Sequence, residues 1–492
     1  MSASELRFAA LTDVGRSRDH NEDNFLVDKG LSLFIVCDGM GGHAAGEVAS
    51  ALAVRTIHEE LKREADLLVD YGAGKTGVDR VTKRDVTNTL EFAVNRASAV
   101  VHAEAAKDPS KRGMGTTVVM LVVIGQQGFI TYCGDSRVYL LRDSVMEQLT
   151  EDHTVYNELI RRKKIPRERI EEIAPRNAIT RAVGVYDHAE PESLVIDLVE
   201  GDRFLLCSDG LSGYFEDNPE DLGRLLAIPE EKAAATDLIK AANQAGGKDN
   251  ITTVIVTVGD ATTRDEKRAK RLQLQRDVLA RMPLFRPLND REILRVLQVT
   301  DVRSYADGET VITQGERGEE LFIVLAGEVK VMHGEAMLAK LVPGEHFGEM
   351  ALIRSQPRSA TVVSNGDSEL VVLRREDFFE ILRKEHQLAV KLLWQFTGVL
   401  ADRLAETSRE LGNVKEELAA EDVTAEMWED DDDTDNRRTL VMDVVELPDS
   451  GESPDAGKSP GAGKSPGAGE SPDAGKSPDA GESPGAGESD DS

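Results

Sequence analysis

The chain has 492 residues, of which 40% are apolar, and it carries a formal charge of −31 at pH 7. This length is enough for two or three domains with separate cores, so a single domain is not expected. The negative charge argues against nucleic acid or an anionic membrane as a partner, because both require a basic surface. About half of the charge lies in residues 421–492, which hold 21 acidic and 5 basic side chains.

Cysteine usage predicts a soluble, cytoplasmic protein. Each of the 3 cysteines, Cys37, Cys133 and Cys207, lies in an apolar run, and none has CxxC spacing. Such cysteines are typical of small core residues in a reducing compartment. The sequence has no amino-terminal signal pattern and no apolar run approaching the roughly 18 residues of a membrane helix.

The part of the chain up to about residue 258 alternates short apolar runs with alanine-rich stretches of helical spacing. The predicted strands are 25–27, 33–37, 117–124, 129–133, 137–141, 203–207 and 251–258, and the predicted helices are 44–69, 83–107 and 229–244. Residues 151–185 interrupt this alternation with a charged helical insertion, whose basic cluster "RRKKIPRER" is either a solvated helix face or a surface for acidic phosphopeptides.

The next part of the chain changes character. Residues 262–281 are charge-dense and predict a helical connector, and residues 282–375 contain short strands between glycine turns, which indicates a small all-β unit. A helical pattern follows from Glu376, with apolar residues at heptad positions: Leu393, Leu400, Leu404, Leu411, Val414 and Leu418. These residues could pack on their own domain or form the seam of a homodimer, and both alternatives are open.

The carboxy-terminal part of the chain is polar. It contains the run "EDDDDTD" and six hexapeptides of the form S-P-[DG]-A-G-[KE] between residues 453 and 488. This composition cannot bury enough apolar area to offset chain entropy, so we expect disorder. The short apolar segment "RRTLVMDVVELP" within it is either a chance occurrence or a docking motif.

Acidic residues recur beside the predicted strands. Asp38, Asp135 and Asp209 each come just after an apolar run, and Asp249 precedes the run 251–258. An Asp-Gly after a strand is usually only a turn, but three repeats of the pattern favour a common cause. If the last strand is antiparallel to its neighbour, its start lies where that neighbour ends. The sequence therefore predicts carboxylates gathered at one edge of a sheet.

An earlier segment, "GRSRDHNEDNF", adds Glu22 and Asp23, with Arg18 just upstream. Clustered carboxylates repel one another strongly unless cations neutralise them. Mg²⁺ and Mn²⁺ prefer oxygen ligands, and a pair of such ions can activate water for hydrolysis. The acids therefore predict a two-metal hydrolytic centre.

The segments "RSRDHNED", "CDGMGGHAAGE", "GMGTT", "GDSRVY", "ITRAVG", "CSDGLSG" and "GGKDNIT" occur in this order. Together they resemble the signature segments of the bacterial type 2C, metal-dependent protein serine/threonine phosphatases, over about residues 6–258. The resemblance implies an α-β-β-α sandwich, in which two antiparallel sheets pack face to face between helices. It also implies a two-metal centre at one edge of the sandwich and a mobile flap over residues 151–185.

The resemblance also implies roles for individual residues. Asp38 would bridge both ions, Glu22 and the Gly39 carbonyl would serve one side, Asp209 and Asp249 the other, Asp23 would hold water, Asp135 would help to hold a third ion, and Arg18 would bind phosphate. Animal relatives carry a proposed general acid, a histidine, directly after the Asp-Gly, where this chain has Met40. His43 lies nearby in sequence, and we leave the general acid unassigned.

A second motif, "GEHFGEMALIRSQPRSATVV" from Gly344 to Val363, favours anion binding. Small residues at a helix start offer backbone N–H groups, and Arg358 adds a bidentate charge. The string resembles the phosphate-binding cassette of cyclic nucleotide-binding domains over about 283–400, which implies an eight-stranded β-roll with flanking helices. By this resemblance the nucleotide would contact Gly348, Glu349, Met350, Ala351, Arg358, Ser359 and Ala360. We favour cAMP over cGMP, because relatives with small residues at the position of Ser359 bind cAMP, although its hydroxyl could favour guanine.

These observations predict an α+β multidomain protein. The predicted divisions are a phosphatase domain 1–260, a helical linker 261–282, a cyclic nucleotide-binding domain 283–400, a helical extension 401–420 and a disordered acidic tail 421–492. The predicted function is hydrolysis of phosphoserine and phosphothreonine on proteins of a serine/threonine kinase pathway, with two or three Mn²⁺ or Mg²⁺ ions and regulation by a cyclic nucleotide. The alternative is a nucleotide-sensing scaffold with a silent phosphatase-like domain, against which the complete set of acids argues.

Overall fold

The computed structural model describes residues 6–41, 45–74, 80–161, 178–216, 218–259 and 266–428. By packing, the chain divides into two units, Met1–Asn413 and Val414–Ser492. The first unit contains both of the folded domains that the sequence predicts. The predictions for His43, for most of the basic flap cluster and for the tail beyond Trp428 concern residues that lie outside the described ranges. The predicted boundary between helical extension and disordered tail at residue 420 is wrong, because the helix continues without a break to Trp428.

The first domain is built on two five-stranded antiparallel sheets. Its strands are β1 Leu6–Asp13, β2 Asn24–Asp28, β3 Leu33–Cys37, β4 Gly39–Met40, β5 Gly115–Thr116, β6 Val118–Ile124, β7 Gln127–Cys133, β8 Arg137–Arg142, β9 Val145–Gln148, β10 Glu192–Asp197, β11 Arg203–Cys207 and β12 Ile251–Val258. The strand order is β1-β12-β11-β8-β9 in one sheet and β10-β7-β6-β3-β2 in the other, while β4 and β5 pair separately.

The two sheets pack face to face through apolar side chains. Phe34 and Leu121 from one sheet and Phe204 and Val256 from the other belong to one buried cluster. The opposite faces of the sheets are also buried, which explains why β3 and β6 are continuous apolar runs rather than alternating ones. This double burial fixes the strands whose ends carry the acidic residues.

Helices cover both outer faces of this sandwich. The helices of the first domain are α1 Ala45–Arg63, α2 Ala65–Gly72, α3 Lys83–Ala105, α4 Val155–Arg161, α5 Asp209–Ser212, α6 Pro219–Leu226 and α7 Glu231–Gln244. Helices α1 and α3 pack on the sheet that contains β3, and α5 to α7 pack on the sheet that contains β11. The predicted α-β-β-α sandwich is confirmed.

Three strands of the two large sheets were not predicted from the sequence, and all three are edge strands. Strands β3, β11 and β12 begin and end as predicted, whereas β1, β9 and β10 were not predicted. Each of these three lies at the edge of its sheet and is only partly buried. Edge strands mix polar with apolar residues, and this weakens the pattern on which a prediction depends. The predicted helix 44–69 is two helices, α1 and α2.

The second domain is a β-roll of two four-stranded sheets. Its strands are β13 Thr300–Tyr305, β14 Thr310–Ile312, β15 Arg317–Gly318, β16 Glu320–Ala326, β17 Val329–His333, β18 Ala336–Leu341, β19 His346–Phe347, β20 Gln356–Pro357, β21 Thr361–Ser364 and β22 Ser368–Arg374. The sheets have the orders β13-β22-β16-β19 and β14-β21-β17-β18. Phe322, Val362 and Leu370 lie in the apolar cluster between them.

Helices pack against the outer face of one of these sheets. They are α8 Glu266–Arg281, α9 Asp290–Gln298, α10 Met350–Ile353, α11 Arg375–Lys384 and α12 His386–Trp428. Leu279 of α8, Ile293 of α9 and Leu392 of α12 share one buried cluster with the sheet, so the end of the predicted connector is part of the core of the second domain. None of the described helices combines the length and the apolar character that crossing a membrane requires.

Candidate functional site

Three strand ends bring acidic residues to one edge of the sandwich. Strand β12 is antiparallel to β11, with Cys207 opposite Thr253. Asp209, just past the end of β11, therefore lies close to Asp249, just before the start of β12. The antiparallel pairing on which the sequence argument depended is present, and Asp38 and Asp135 reach the same cluster.

The carboxyl groups in this cluster destabilise one another's charged form. The carboxyls of Asp38 and Asp209 are close enough for each to change the pKa of the other. Burial, followed by the charges of Asp23, Asp209 and Asp135, raises the pKa of Asp38 well above its ordinary value. Burial and the charge of Asp209 also raise the pKa of Asp135, to about 7. A buried cluster of this kind has the donor set and the charge that favour a divalent cation.

Asp23 has one oxygen held and the other left without a hydrogen bond. Its side chain is buried, and Oδ2 accepts hydrogen bonds from Ser208 Oγ at 2.8 Å and Thr252 Oγ1 at 2.6 Å. Its Oδ1 is buried and accepts no hydrogen bond. Burial raises the pKa of Asp23 to about 7, although the two hydroxyl groups lower it. An unsatisfied buried oxygen of this kind can bind an ion directly or accept a hydrogen bond from ion-bound water.

Two glycines allow Glu22 and the Gly39 backbone to pack closely. A Cβ atom at Gly39 would lie 2.2 Å from the carbonyl oxygen of Gly46 and 2.5 Å from that of Glu22. A Cβ atom at Gly46 would lie 2.7 Å from the carboxyl carbon of Glu22. Burial raises the pKa of Glu22, and the charge of Arg18 opposes this effect. The predicted ligands Glu22 and Gly39 are therefore close together, at a point where larger residues do not fit.

Arg18 lies at the rim of the acidic cluster. Its Nη2 donates a hydrogen bond to Asp249 Oδ2 at 2.7 Å, and half of its side chain is exposed. Asn250 holds the segment that carries Arg18, because its Nδ2 donates to the carbonyl oxygens of Val14 and His20 at 3.0 and 2.9 Å. Its Oδ1 accepts a hydrogen bond from the backbone N–H of Glu22 at 2.8 Å. An exposed arginine at this place can reach an anion that enters from solvent.

The neutral side chains that hold these acids were not predicted from the sequence. Ser208, Asn250 and Thr252 lie within or beside the recognised segments "CSDGLSG" and "GGKDNIT", so their adjacency to the acids was the available signal. Thr117 Oγ1 likewise accepts a hydrogen bond from the backbone N–H of Asp38 at 3.0 Å. Their partners could not be identified from adjacency, because they lie far away along the chain.

Within the described ranges, no three Asp, Glu, His or Cys side chains are already arranged as a metal-ligand set. The acids are nevertheless neighbours whose charges act on one another. The ligand roles assigned to Glu22, Asp23, Asp38, Gly39, Asp135, Asp209 and Asp249 therefore stay predictions.

The predicted nucleotide site is centred on a buried arginine. Arg358 is 8% exposed, donates from Nη1 to the carbonyl oxygen of Glu320 at 3.0 Å, and lies over the ring of Phe322 at 5.7 Å from the centroid. A Cβ atom at Gly318 would lie 2.1 Å from its Nε, and one at Gly348 would lie 2.7 Å from its Nη1. The glycines therefore leave the space that the guanidinium occupies.

The other residues of the predicted cassette divide by exposure. Glu349, Ala351 and Ala360 are buried, whereas Met350 and Ser359 are exposed. Burial lowers the pKa of Arg358, while the charges of Glu320 and Glu349 oppose this effect. A buried cation beside small residues is suited to a phosphate group, and the roles of these residues toward a nucleotide stay predictions.

The first testable prediction compares two adjacent threonines of β12. We expect Thr252→Val to weaken Mn²⁺ binding about tenfold or more, because the carboxylate of Asp23 loses one of the two hydroxyl groups that orient it. Isothermal titration calorimetry of the full chain with Mn²⁺ measures the change. Thr253→Val is the matched control, because Thr253 Oγ1 is buried without a hydrogen-bond partner. Equal affinities in the two variants would contradict the role given to Thr252.

Two protein-family models match the chain. The model described as Protein phosphatase 2C matches residues 15–249, and the model described as Cyclic nucleotide-binding domain matches residues 302–385. The two matches fall on the sandwich and on the β-roll, respectively.

Curated relatives match the sandwich. The serine/threonine phosphatase stp of Listeria innocua is 36% identical over 249 residues, which are 50% of this chain and 93% of that protein. The protein phosphatase PhpP of Streptococcus pneumoniae is 32% identical, covering 52% of this chain and 98% of that protein. A solved structure of the Mycobacterium tuberculosis phosphatase PstP/Ppp is 35% identical, with a TM-score of 0.44, and covers 52% of this chain and 99% of that one. The chain therefore belongs to the protein phosphatase 2C family of metal-dependent serine/threonine phosphatases, and a cyclic nucleotide-binding domain follows its phosphatase domain.

Proposed function

We propose that this chain hydrolyses phosphoserine and phosphothreonine on proteins at the acidic edge of the sandwich, and that a cyclic nucleotide bound to the β-roll sets the rate. The observation that supports hydrolysis is that Asp38, Asp135 and Asp209 lie in one cluster although they follow three separate strands. Such a gathering of buried acids costs free energy in the absence of cations, so structural reasons alone do not account for it.

Two divalent ions would be held by Asp38, Glu22, Asp209, Asp249 and the Gly39 carbonyl. Asp135 would help to hold a third ion. When bound, Mn²⁺ or Mg²⁺ would lower the pKa of water and neutralise charge on the phosphoryl oxygens.

The chain's own residues have separate tasks in this proposal. Asp23 is held through one oxygen and can orient water with the other. Arg18 is half exposed and can turn its planar fork from Asp249 toward two oxygens of a phosphate group. The general acid stays unassigned, since His43 lies outside the described residues.

The proposed substrates are phosphorylated proteins of a serine/threonine kinase pathway. The names of the relatives, serine/threonine phosphatase and protein phosphatase, support this substrate class. We also propose the cytoplasm as the compartment, which Cys37, Cys133 and Cys207 support, because all three are buried and unpaired.

The proposed effector is cAMP in preference to cGMP. The buried guanidinium of Arg358, with Gly318 and Gly348 packed against it, supports a phosphate site. The choice of base rests on the small residue Ser359 in the cassette. The alternative of a silent, nucleotide-sensing scaffold is less well supported, because every predicted acidic ligand is present.

We also propose that α12 can form the seam of a homodimer. Leu393, Leu404 and Leu411 are exposed by 45%, 70% and 58%, at the a and d positions of a heptad. Leu400, which shares this pattern, packs instead against the core of its own domain. The exposed leucines leave an apolar stripe that a second copy of the helix would bury.

The second testable prediction concerns catalysis. We expect Asp209→Asn to reduce Mn²⁺-dependent phosphate release from a phosphothreonine peptide by at least about a hundredfold, because the cluster loses a charged ligand. A steady-state phosphate assay with the full chain measures this effect. Asp221→Asn, at an exposed aspartate of α6, is the control. Unchanged activity in Asp209→Asn would refute the metal-site assignment.

The third testable prediction concerns the nucleotide site. We expect calorimetric titration of the full chain with cAMP to give measurable heat and cGMP to bind more weakly. Arg358→Ala should abolish binding, since the cyclic phosphate loses its buried cation. Arg317→Ala removes an exposed arginine one residue from Gly318 and should bind as the wild type does. No heat with either nucleotide would mean that the β-roll does not bind these ligands.

The fourth testable prediction concerns oligomeric state. If the leucines of α12 form a dimer seam, Leu404→Glu should reduce the molar mass in sedimentation equilibrium to that of the monomer, since burying a charge there is costly. Val69→Glu, at an exposed position of α2, should leave the mass unchanged. A monomeric wild-type chain at micromolar concentration would contradict the dimer.

A further inference from the structure

Helix α9 of the second domain places two arginines against the phosphatase domain. Arg291 and Arg295 are four residues apart and so lie on the same face of the helix. Arg291 Nη1 donates to Glu151 Oε2 at 2.8 Å, at the start of the predicted flap. Arg295 Nη2 donates to Glu192 Oε2 at 2.9 Å, and its other terminal nitrogen donates to the carbonyl oxygen of Ser193.

Glu192 is a shared partner rather than a simple surface acid. Its Oε2 also accepts a hydrogen bond from the hydroxyl of Tyr132 at 2.8 Å. Its Oε1 lies 3.0 Å from Arg181 Nη1 and 3.3 Å from His153 Nε2. Arg295 therefore helps to neutralise and orient a carboxylate that also contacts residues of the phosphatase interior.

His153 connects this carboxylate to Gly134. The imidazole is 3% exposed, and its Nδ1 accepts a hydrogen bond from the backbone N–H of Gly134 at 3.2 Å. The backbone N–H of His153 donates to the carbonyl oxygen of Gly134 at 2.9 Å. Because Nδ1 is an acceptor, a neutral imidazole carries its proton on Nε2, which lies 3.3 Å from Glu192 Oε1 and 3.5 Å from Arg181 Nη1. The carboxylate of Glu192 favours this tautomer, in which His153 contacts Gly134 through both its ring and its backbone.

Gly134 directly precedes Asp135 and has a tightly limited position. Its φ is +110°, and a Cβ atom there would lie 2.7 Å from the side chain of Thr117. Thr117 Oγ1 lies 2.6 Å from Ser136 Oγ and accepts a hydrogen bond from the N–H of Asp38 at 3.0 Å. The position of Gly134 therefore sets where Asp135 lies relative to Asp38.

Helix α9 also contacts the segment that follows the β-roll. Lys391 Nζ of α12 lies 2.6 Å from Glu292 Oε2, and Arg295 Nε lies 3.5 Å from Glu385 Oε1. Ile293 of α9 is buried in the same cluster as Phe378 of α11. A change in the placement of α11 or α12 must therefore act on α9 and on the contacts of Arg295.

We propose that Arg295 is a positioning residue that holds Asp135 in place through Glu192 and His153, and that the nucleotide-binding domain acts on the phosphatase site through this contact. The second clause rests on the proposed function, whereas the first concerns the placement of Asp135 alone. These direct contacts connect the nucleotide-binding domain with the region of Asp135, within one compact unit. Coupling between two sites of a protein typically changes an affinity or population about 5- to 150-fold.

The fifth testable prediction concerns Arg295. Its first experiment is hydrogen–deuterium exchange in the full chain without metal or nucleotide. We expect the Gly134 amide to exchange about fivefold or more faster in Arg295→Ala, because its acceptor His153 loses orientation. Arg295→Lys should restore part of the protection. Arg276→Ala is the matched control, since Arg276 of α8 also crosses to the phosphatase domain but pairs with Glu147 of β9, at 3.3 Å. Unchanged exchange at Gly134 in Arg295→Ala would overturn the proposal.

Glu192→Gln provides a second variant that keeps the shape of the site if Arg295→Ala is poorly folded. It should also speed exchange at Gly134, and normal protection in it would count against the proposed path. Thermal melting of each variant shows whether the fold is retained.

The second experiment measures Mn²⁺-dependent phosphate release with and without cAMP. We expect Arg295→Ala to lower kcat about fivefold or more with little change in the KM for the phosphopeptide, and to lose the response to cAMP that Arg276→Ala keeps. A normal kcat together with a normal cAMP response in Arg295→Ala would overturn the regulatory clause. If the wild-type chain releases no phosphate, the proposed function fails, while the exchange measurement still decides whether Arg295 positions Gly134.

Discussion

Mutual repulsion among buried carboxylates is the constraint on which the phosphatase domain depends. Asp23 and Asp135 each have a pKa raised to about 7, chiefly by burial, and burial together with neighbouring charges raises the pKa of Asp38 well above its ordinary value. Assembling these acids costs free energy, which the apolar sandwich beneath them must offset. Ions that bind the folded cluster and not the unfolded chain would return part of this cost, so metal binding and folding are coupled.

Neutral hydrogen-bonding groups make this cluster usable for chemistry. Ser208 and Thr252 fix one oxygen of Asp23 and leave the other without a partner, while Asn250 holds the segment that carries Glu22. Hydroxyl and amide groups can orient a carboxylate and leave its charge in place, whereas an arginine or a lysine would neutralise that charge. The acids thus remain available to cations while their backbones are held in place.

A charged contact, in contrast, connects the two domains. Arg295 belongs to the nucleotide-binding domain, yet its closest carboxylate, Glu192, lies on an edge strand of the phosphatase sandwich. Because Glu192 also faces His153, a charge on one domain orients an imidazole that holds the backbone next to Asp135 in the other. A regulatory signal would need no large movement, since the loss of one ion pair changes the support of one acidic residue.

The sequence by itself determined the features that depend on local chemistry. Strands β3 and β11 could be recognised because burial on both faces requires continuous apolar runs, and Asp38 and Asp209 could be recognised because they follow those runs. The edge strands β1, β9 and β10 could not, because partial exposure allows mixed sequences. The glycine and arginine pattern of the nucleotide cassette was equally readable, because close backbone approach and phosphate geometry each demand a particular residue type.

Only the tertiary structure decided which side chains meet. Asn250 contacts a segment 228 to 236 residues away, and Arg295 contacts Glu192 across 103 residues. An asparagine or an arginine has the same hydrogen-bonding groups at any position in the chain, so nothing in its sequence neighbourhood identifies its partner. The partner is selected when the sheets and helices pack, because packing brings together groups that the chain order separates and removes the water that would otherwise hydrogen-bond them.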